Sequence, residues 1–110
     1  MSSLSTHVLD TAHGRPAAGV ALQLLGEDGE RLFSGVTDDD GRCPGIPPLA
    51  PGRYHIVFAV AAYFRAAGVD LPEPPFLDMI AIDFGIADPD GHYHVPLLVS
   101  PYGYSTYRGS

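Results

Sequence analysis

Five histidines and six arginines hold most of this chain's capacity for acid–base and anion chemistry. Two of the histidines stand in the run His92-Tyr93-His94. Residues two apart in an extended chain share a face, so both imidazoles point one way while Tyr93, Val95 and Leu97 point the other. An apolar face opposite a two-histidine face reads as a core side and a working side. His7 occupies another extended stretch, with Thr6 and Val8 turned away from it. Three readings of these histidines stand open at this level. They are surface or interface side chains with ordinary hydrogen bonds, ligands of a three-histidine zinc site, or metal-free acids and bases, a role suited to the intrinsic pKa of imidazole. His-x-His without a third ligand at a telling distance does not choose among them.

The basic residues are all arginine, at positions 15, 31, 42, 53, 65 and 108. Arg42 follows Asp40-Gly41 at the end of a turn, and Arg108 is the third residue from the end. A solvated surface role is ordinary for such residues, but the guanidinium fork also recognises planar anions through paired hydrogen bonds. Cys43 precedes a proline and has no nucleophile motif around it, so it reads as a small apolar residue. Asp38-Asp39-Asp40-Gly41 and Asp88-Pro89-Asp90-Gly91 lack the spacing and closing Glu of a calcium loop and read as turns. Glycine-rich phosphate loops, Gly-x-Ser-x-Gly elbows and Cys-x-x-Cys pairs are absent.

The elements that must position these side chains follow a period of two. Val20, Leu22 and Leu24 alternate with Ala21, Gln23 and Leu25. Tyr54, Ile56, Phe58 and Val60 alternate with Arg53, His55, Val57 and Ala59, and Ile80, Ile82, Phe84 and Ile86 with Ala81, Asp83 and Gly85. These are half-buried strands. Further strands are predicted over 4–9, 31–36, 92–99 and 102–108. Turn chemistry separates them at His13-Gly14-Arg15-Pro16, at Glu27-Asp28-Gly29-Glu30 and at the two aspartate turns. Cys43 to Gly52 is a proline-rich loop. Seven or eight short strands separated this way predict an antiparallel sandwich. One segment breaks the pattern: residues 61–68 are alanine-rich and stop at Gly68, which predicts a short helix leaning on the sandwich. The final Tyr102–Ser110 stretch is aromatic and β-prone, which predicts that it is docked rather than frayed.

Composition bounds the rest. With 110 residues, 45% of them hydrophobic, the chain is expected to form one domain with one core. The 13 glycines and 11 prolines leave little room for long helices. A net charge of −7 without a basic stripe argues against nucleic acid or an anionic membrane as partner. One cysteine excludes an internal disulfide framework. With no basic and apolar leader at residues 1–7 and no apolar run approaching 18 residues, the expected location is cytoplasmic.

Taken together, three motifs resemble one family. Leu4-Ser5-Thr6-His7-Val8-Leu9-Asp10 with Gly14-Arg15-Pro16-Ala17, then Asp40-Gly41-Arg42, then His92-Tyr93-His94-Val95-Pro96-Leu97-Leu98 with the closing Tyr104-Ser105-Thr106-Tyr107-Arg108-Gly109-Ser110, resemble the signatures of the transthyretin-like 5-hydroxyisourate hydrolases. The match runs nearly the whole chain, and it departs at Phe76-Leu77-Asp78-Met79 and at Cys43. The resemblance implies an all-β, transthyretin-like sandwich of two four-stranded sheets with one short helix, occupying residues 1–110 as a single domain. It implies ring-opening hydrolysis of 5-hydroxyisourate to 2-oxo-4-hydroxy-4-carboxy-5-ureidoimidazoline, in a homotetramer with sites at the dimer–dimer interface. His7, Arg42, His94 and Ser110 are the implied catalytic residues. Tyr107, His92 and Arg108 join His7 and Arg42 in substrate binding, with no metal or other cofactor. The division of acid and base roles between His7 and His94 is left open by the sequence. A carrier, as transthyretin is, remains the rival reading on the same fold.

Overall fold

The alternation of apolar and polar side chains becomes an alternation of burial. In the computed structural model, which describes residues 1–110, strand β4 (Ala21–Gly26) buries Leu22 and Leu24 and exposes Ala21 and Gln23. Strand β6 (Gly52–Ala59) buries Ile56 and Phe58, and β7 (Met79–Ile86) buries Ile80, Ile82 and Ile86. With β5 (Arg31–Val36) these form an antiparallel sheet in the order β5-β4-β6-β7. The Glu27–Glu30 turn joins β4 to β5 as expected; Gly29 supplies the positive φ of 87° that such a turn needs.

The facing sheet is more broken than the sequence predicts. The expected strand over 4–9 divides into β1 (Ser3–Ser5) and β2 (Val8–Asp10), and that over 92–99 into β8 (His92–His94) and β9 (Leu97–Ser100). Arg15–Pro16, expected within a turn, forms a short strand, β3, on β2, and the final strand β10 (Gly103–Thr106) is shorter than 102–108. The order is β10-β9-β2-β3, with the β1–β8 pair extending the middle of the sheet. Ser3↔His92, Ser5↔His94 and Val8↔Leu97 all keep one register, so the parallel pairing resumes in phase after the break. At the break the Thr6 hydroxyl donates to the Val95 carbonyl at 2.7 Å, where a side chain takes up a ladder acceptor. Counting each divided strand once gives two four-stranded layers and one helix, the transthyretin-like architecture.

The helix α1 (Val60–Ala66) begins one residue earlier than predicted, directly from β6. The Asp78 carbonyl accepts the backbone N–H groups of Val60 and Ala61, satisfying two donors of the first turn. Gly68, at φ 88°, carries the chain out of it. Val60, Tyr63 and Phe64 join the core with residues from both sheets. This is also where the one fully buried carboxylate sits. Asp10 accepts the Tyr63 hydroxyl at 2.7 Å, the His13 Nδ1–H at 2.6 Å and the His13 backbone N–H at 3.0 Å. Burial alone would push its carboxyl upward, but the donors from Tyr63 and His13 outweigh that and hold it below the ordinary value. No helix of the chain is long and apolar enough to cross a membrane.

Candidate active site

The two strand breaks in the facing sheet lie side by side, and the sequence-predicted histidines sit at them. His7 leaves the ladder between β1 and β2 and forms an isolated bridge with Arg42. Its Nε2 lies 2.7 Å from the Asp40 carbonyl. A carbonyl only accepts, so Nε2 carries a proton and Nδ1 is the lone-pair nitrogen of the neutral ring. The opposing turn is held by Asp38, whose carboxylate accepts the N–H groups of Asp40 and Arg42 at 2.9 and 3.0 Å. Its tip must be glycine. Gly41 has φ 77°, and a Cβ there would stand 2.4 Å from the Val8 carbonyl oxygen. The Asp40-Gly41-Arg42 spacing therefore brings Arg42 against His7 through a backbone approach that no other residue allows.

His94 ends β8 and is half-buried. The closing segment crosses it: the Gly109 N–H donates to the His94 carbonyl at 2.8 Å, and a Cβ on Gly109 would lie 2.3 Å from His94 Cδ2. Burial pushes the His94 imidazolium pKa below the ordinary histidine value. The positive charge of Arg42 and the nearby His7 and His92 rings push the same way, opposed by hydrogen bonding to the Ser5 backbone. His94 is therefore neutral at physiological pH, with a cation beside it. Its Nδ1 lies 2.8 Å from the Ser5 hydroxyl, which leaves Nε2 as the free ring nitrogen.

The remaining predicted residues fall around this cluster. His92 is exposed, with Nδ1 at 2.6 Å from Ser3 Oγ and Nε2 at 3.2 Å from Ser5 Oγ. Arg108 stacks its guanidinium 4.2 Å from the centroid of the Tyr93 ring and donates to the His92 carbonyl at 3.4 Å, so it anchors the closing segment. Ser110 follows Gly109 and is exposed, without a hydrogen bond inside the chain. Tyr107 lines a separate pocket of about 380 Å³ with Phe84, Tyr93, Thr106 and Arg108. The largest concavity, about 580 Å³, lies beside Arg15 and Tyr63, and none of the pockets of the single chain is lined by His7, Arg42 or His94. No group of three or more His, Cys, Asp or Glu side chains is spaced to hold a metal ion.

His13 and His55, which lie outside the matched motifs, each hold a carboxylate. His13 pairs with Asp10, and His55 Nδ1 lies 2.6 Å from Asp83 across the β6–β7 pair. Ser3, Ser5, Gly41 and Gly109 hold the site in ways that residue type and spacing did not assign to them. The alternation of Ser3 and Ser5 was a usable signal, because hydroxyls two apart on one strand match imidazoles two apart on its neighbour.

The model of one family, described as HIUase/Transthyretin, matches residues 4–109. The chain belongs to that family. Within the HIUase/Transthyretin family, the 5-hydroxyisourate hydrolase of Pseudomonas aeruginosa is 52% identical over 100% of this chain and 93% of its own length. The solved Klebsiella pneumoniae 5-hydroxyisourate hydrolase superposes with a TM-score of 0.86 at 42% identity, each chain covered completely. Sea bream transthyretin, solved in complex with thyroxine, is 31% identical with a TM-score of 0.84, covering 96% of this chain and 93% of its own. The relatives thus include a named enzyme and a protein solved with thyroxine bound, and the site has to separate the two readings.

Proposed function

We propose that this chain is a 5-hydroxyisourate hydrolase, opening the ring of that planar heterocycle to give 2-oxo-4-hydroxy-4-carboxy-5-ureidoimidazoline. The observation that carries the reading is a neutral, half-buried His94 beside the Arg42 cation and His7, on a chain half-identical to named hydrolases. A carrier gains nothing from such a cluster, whereas amide hydrolysis needs each part. His94 Nε2 takes a proton from water as the water oxygen attacks a ring carbonyl. The Arg42 guanidinium stabilises the oxyanion that develops on that carbonyl. As the carbon–nitrogen bond breaks, the proton held on His94 passes to the departing ring nitrogen. His7 Nδ1 accepts from a ring N–H and orients the substrate. Ser110, carried next to the site by Gly109, bounds it, while Tyr107, His92 and Arg108 serve from its edge.

The same reading includes residues 1–110 acting as one domain, a homotetramer, no cofactor and a cytoplasmic location. A second copy would supply the wall that the single chain lacks at His7, Arg42 and His94. Purified protein should accelerate the ultraviolet decay of freshly generated 5-hydroxyisourate, before and after chelator treatment, and light scattering should give four times the chain mass. Activity lost on chelation and recovered with zinc would overturn the metal-free mechanism. A protein without acceleration that still binds planar aromatic ligands would be a carrier.

A further inference from the structure

The imidazole of His94 is not isolated on its inner side. A row of four groups runs from it to the surface: His94 Nδ1, Ser5 Oγ at 2.8 Å, His92 Nε2 at 3.2 Å from the same hydroxyl, and Ser3 Oγ at 2.6 Å from His92 Nδ1. The row is fixed by backbone pairing, since Ser3 is the register partner of His92 and Ser5 of His94 on the parallel β1–β8 pair. Ser3 and His92 are exposed, whereas Ser5 and His94 are half-buried, so the row leads from the site outward.

A hydroxyl has one hydrogen to donate. Ser5 therefore cannot donate to both rings. When its hydrogen points to His92, His94 must donate from Nδ1 and presents a lone pair at Nε2, the form of a base. When it points to His94, His92 must donate from Nε2 and His94 carries its proton on Nε2, the form of an acid. Shifting one proton along each bond converts the first arrangement into the second, and the proton that leaves the far end comes off His92 Nδ1 toward Ser3 and water. We propose that Ser5 is a positioning residue that couples the tautomers of His94 and His92 and, with Ser3, forms a path by which His94 passes a proton to solvent.

This rests on the hydrolase reading, which creates the need for such a path. Hydrolysis of a neutral cyclic amide forms a carboxylic acid that ionises at neutral pH. The proton His94 took from water has by then gone to the ring nitrogen, so the acid's own proton, taken up by the vacated His94 Nε2, is the one that each turnover releases net. The groups facing His94 on its other sides are Arg42 and His7, a fixed cation and a ring already donating to Asp40. Neither offers an easy exit for a positive charge. The row through Ser5 does, and it ends at an exposed imidazole.

The test uses Ser5→Ala, Ser5→Thr and His92→Gln in the full chain. Nitrogen-15 NMR of the imidazoles should show His92 and His94 changing tautomer and titrating together in the wild type and in Ser5→Thr, and independently in Ser5→Ala. Turnover should fall by roughly 10-fold or more in Ser5→Ala with KM little changed, return largely in Ser5→Thr, and fall in His92→Gln, the scale expected for weakening one acid–base component. The solvent deuterium effect on kcat should reflect several protons in the wild type and fewer in Ser5→Ala. Unchanged His94 tautomer and titration in Ser5→Ala, or a loss of activity that Ser5→Thr does not restore, would overturn the proposal. The NMR readout needs no substrate, so an inactive wild type would refute the hydrolase reading without deciding the coupling.

Discussion

One sheet of this sandwich is built from strands of six to eight residues and the other from strands of two to four. In the long-stranded sheet β6 pairs with β7 over eight consecutive residues, and His55 meets Asp83 within it as an ordinary cross-strand pair. In the short-stranded sheet the parallel ladder opens once, dividing two neighbouring strands, and His7 and the end of the His92–His94 strand stand at the opening. The histidines at the opening also differ from the other two in what they face. His13 faces the Asp10 carboxylate, and His55 faces that of Asp83, whose hydrogen bond raises the His55 pKa. His7, His92 and His94 face a carbonyl, hydroxyls and, for His94, the Arg42 cation. A regular ladder supplies rigidity and spends its polar side chains on pairing. A broken one, held in register on both sides of the gap, frees side chains to point where the strand period would not send them, without letting them wander.

If the broken region is where chemistry happens, disturbing it should cost activity before stability. Arg42→Ala and His94→Asn should each lower kcat/KM by roughly 10²-fold or more, the scale for removing an oxyanion donor or an acid–base group, with thermal unfolding near wild type. Deleting Tyr107–Ser110 should match that loss while circular dichroism still reports a folded sandwich. Gly109→Ala is the finer cut: its methyl group would enter the space of the His94 ring, and a displaced ring should cost roughly 10-fold in kcat. A Gly109→Ala protein with wild-type kinetics would separate the closing segment from the site.

Carboxylate pairs away from the opening should show the opposite signature. Asp10→Asn removes a buried carboxylate that accepts three hydrogen bonds, so it should cost about 1–3 kcal/mol of stability, measured by urea unfolding, with activity per folded molecule retained. The pH dependence has a definite sign. Asp10 is held below its ordinary value in the fold, so its contribution is complete above about pH 4 and is lost as pH falls through the lower folded value. The acid limb of wild-type stability should therefore be steeper than that of Asp10→Asn. Smallest of all, His13→Gln and His55→Gln should leave turnover near wild type. Equal damage from His55→Gln and His94→Asn would erase the contrast between the two regions.

Much of this contrast was legible in residue order, and the part that was not has a common cause. The period-two runs around Leu22, Ile56 and Ile82 gave the regular sheet because burial on one face is a local pattern. The alanine-rich run ending at Gly68 gave the helix to within a residue or two. The break at His7 carried no local signal: Thr6-His7-Val8 alternates without interruption, and what opens the ladder there is Thr6 binding the carbonyl of Val95, far along the chain. The Asp10–Tyr63 bond is equally remote in sequence, so nothing local marked Asp10 as a buried carboxylate. His7, Arg42 and His94 were legible as a set through family resemblance alone, since spacing left them as three unrelated side chains. Ser5 looked like any polar strand residue until the β1–β8 register set it between two imidazoles.

The account turns on a histidine kept neutral beside a cation, and the pH dependence of kcat/KM for 5-hydroxyisourate tests that most directly. Burial and Arg42 both hold the His94 pKa down, so its neutral form persists on acidification. The wild-type acid limb should fall below about pH 6.5, the ordinary histidine value. Arg42→Ala should shift the limb of its residual activity upward toward that value. An acid limb at or above 6.5 in the wild type, or one that Arg42→Ala leaves in place, would contradict the account.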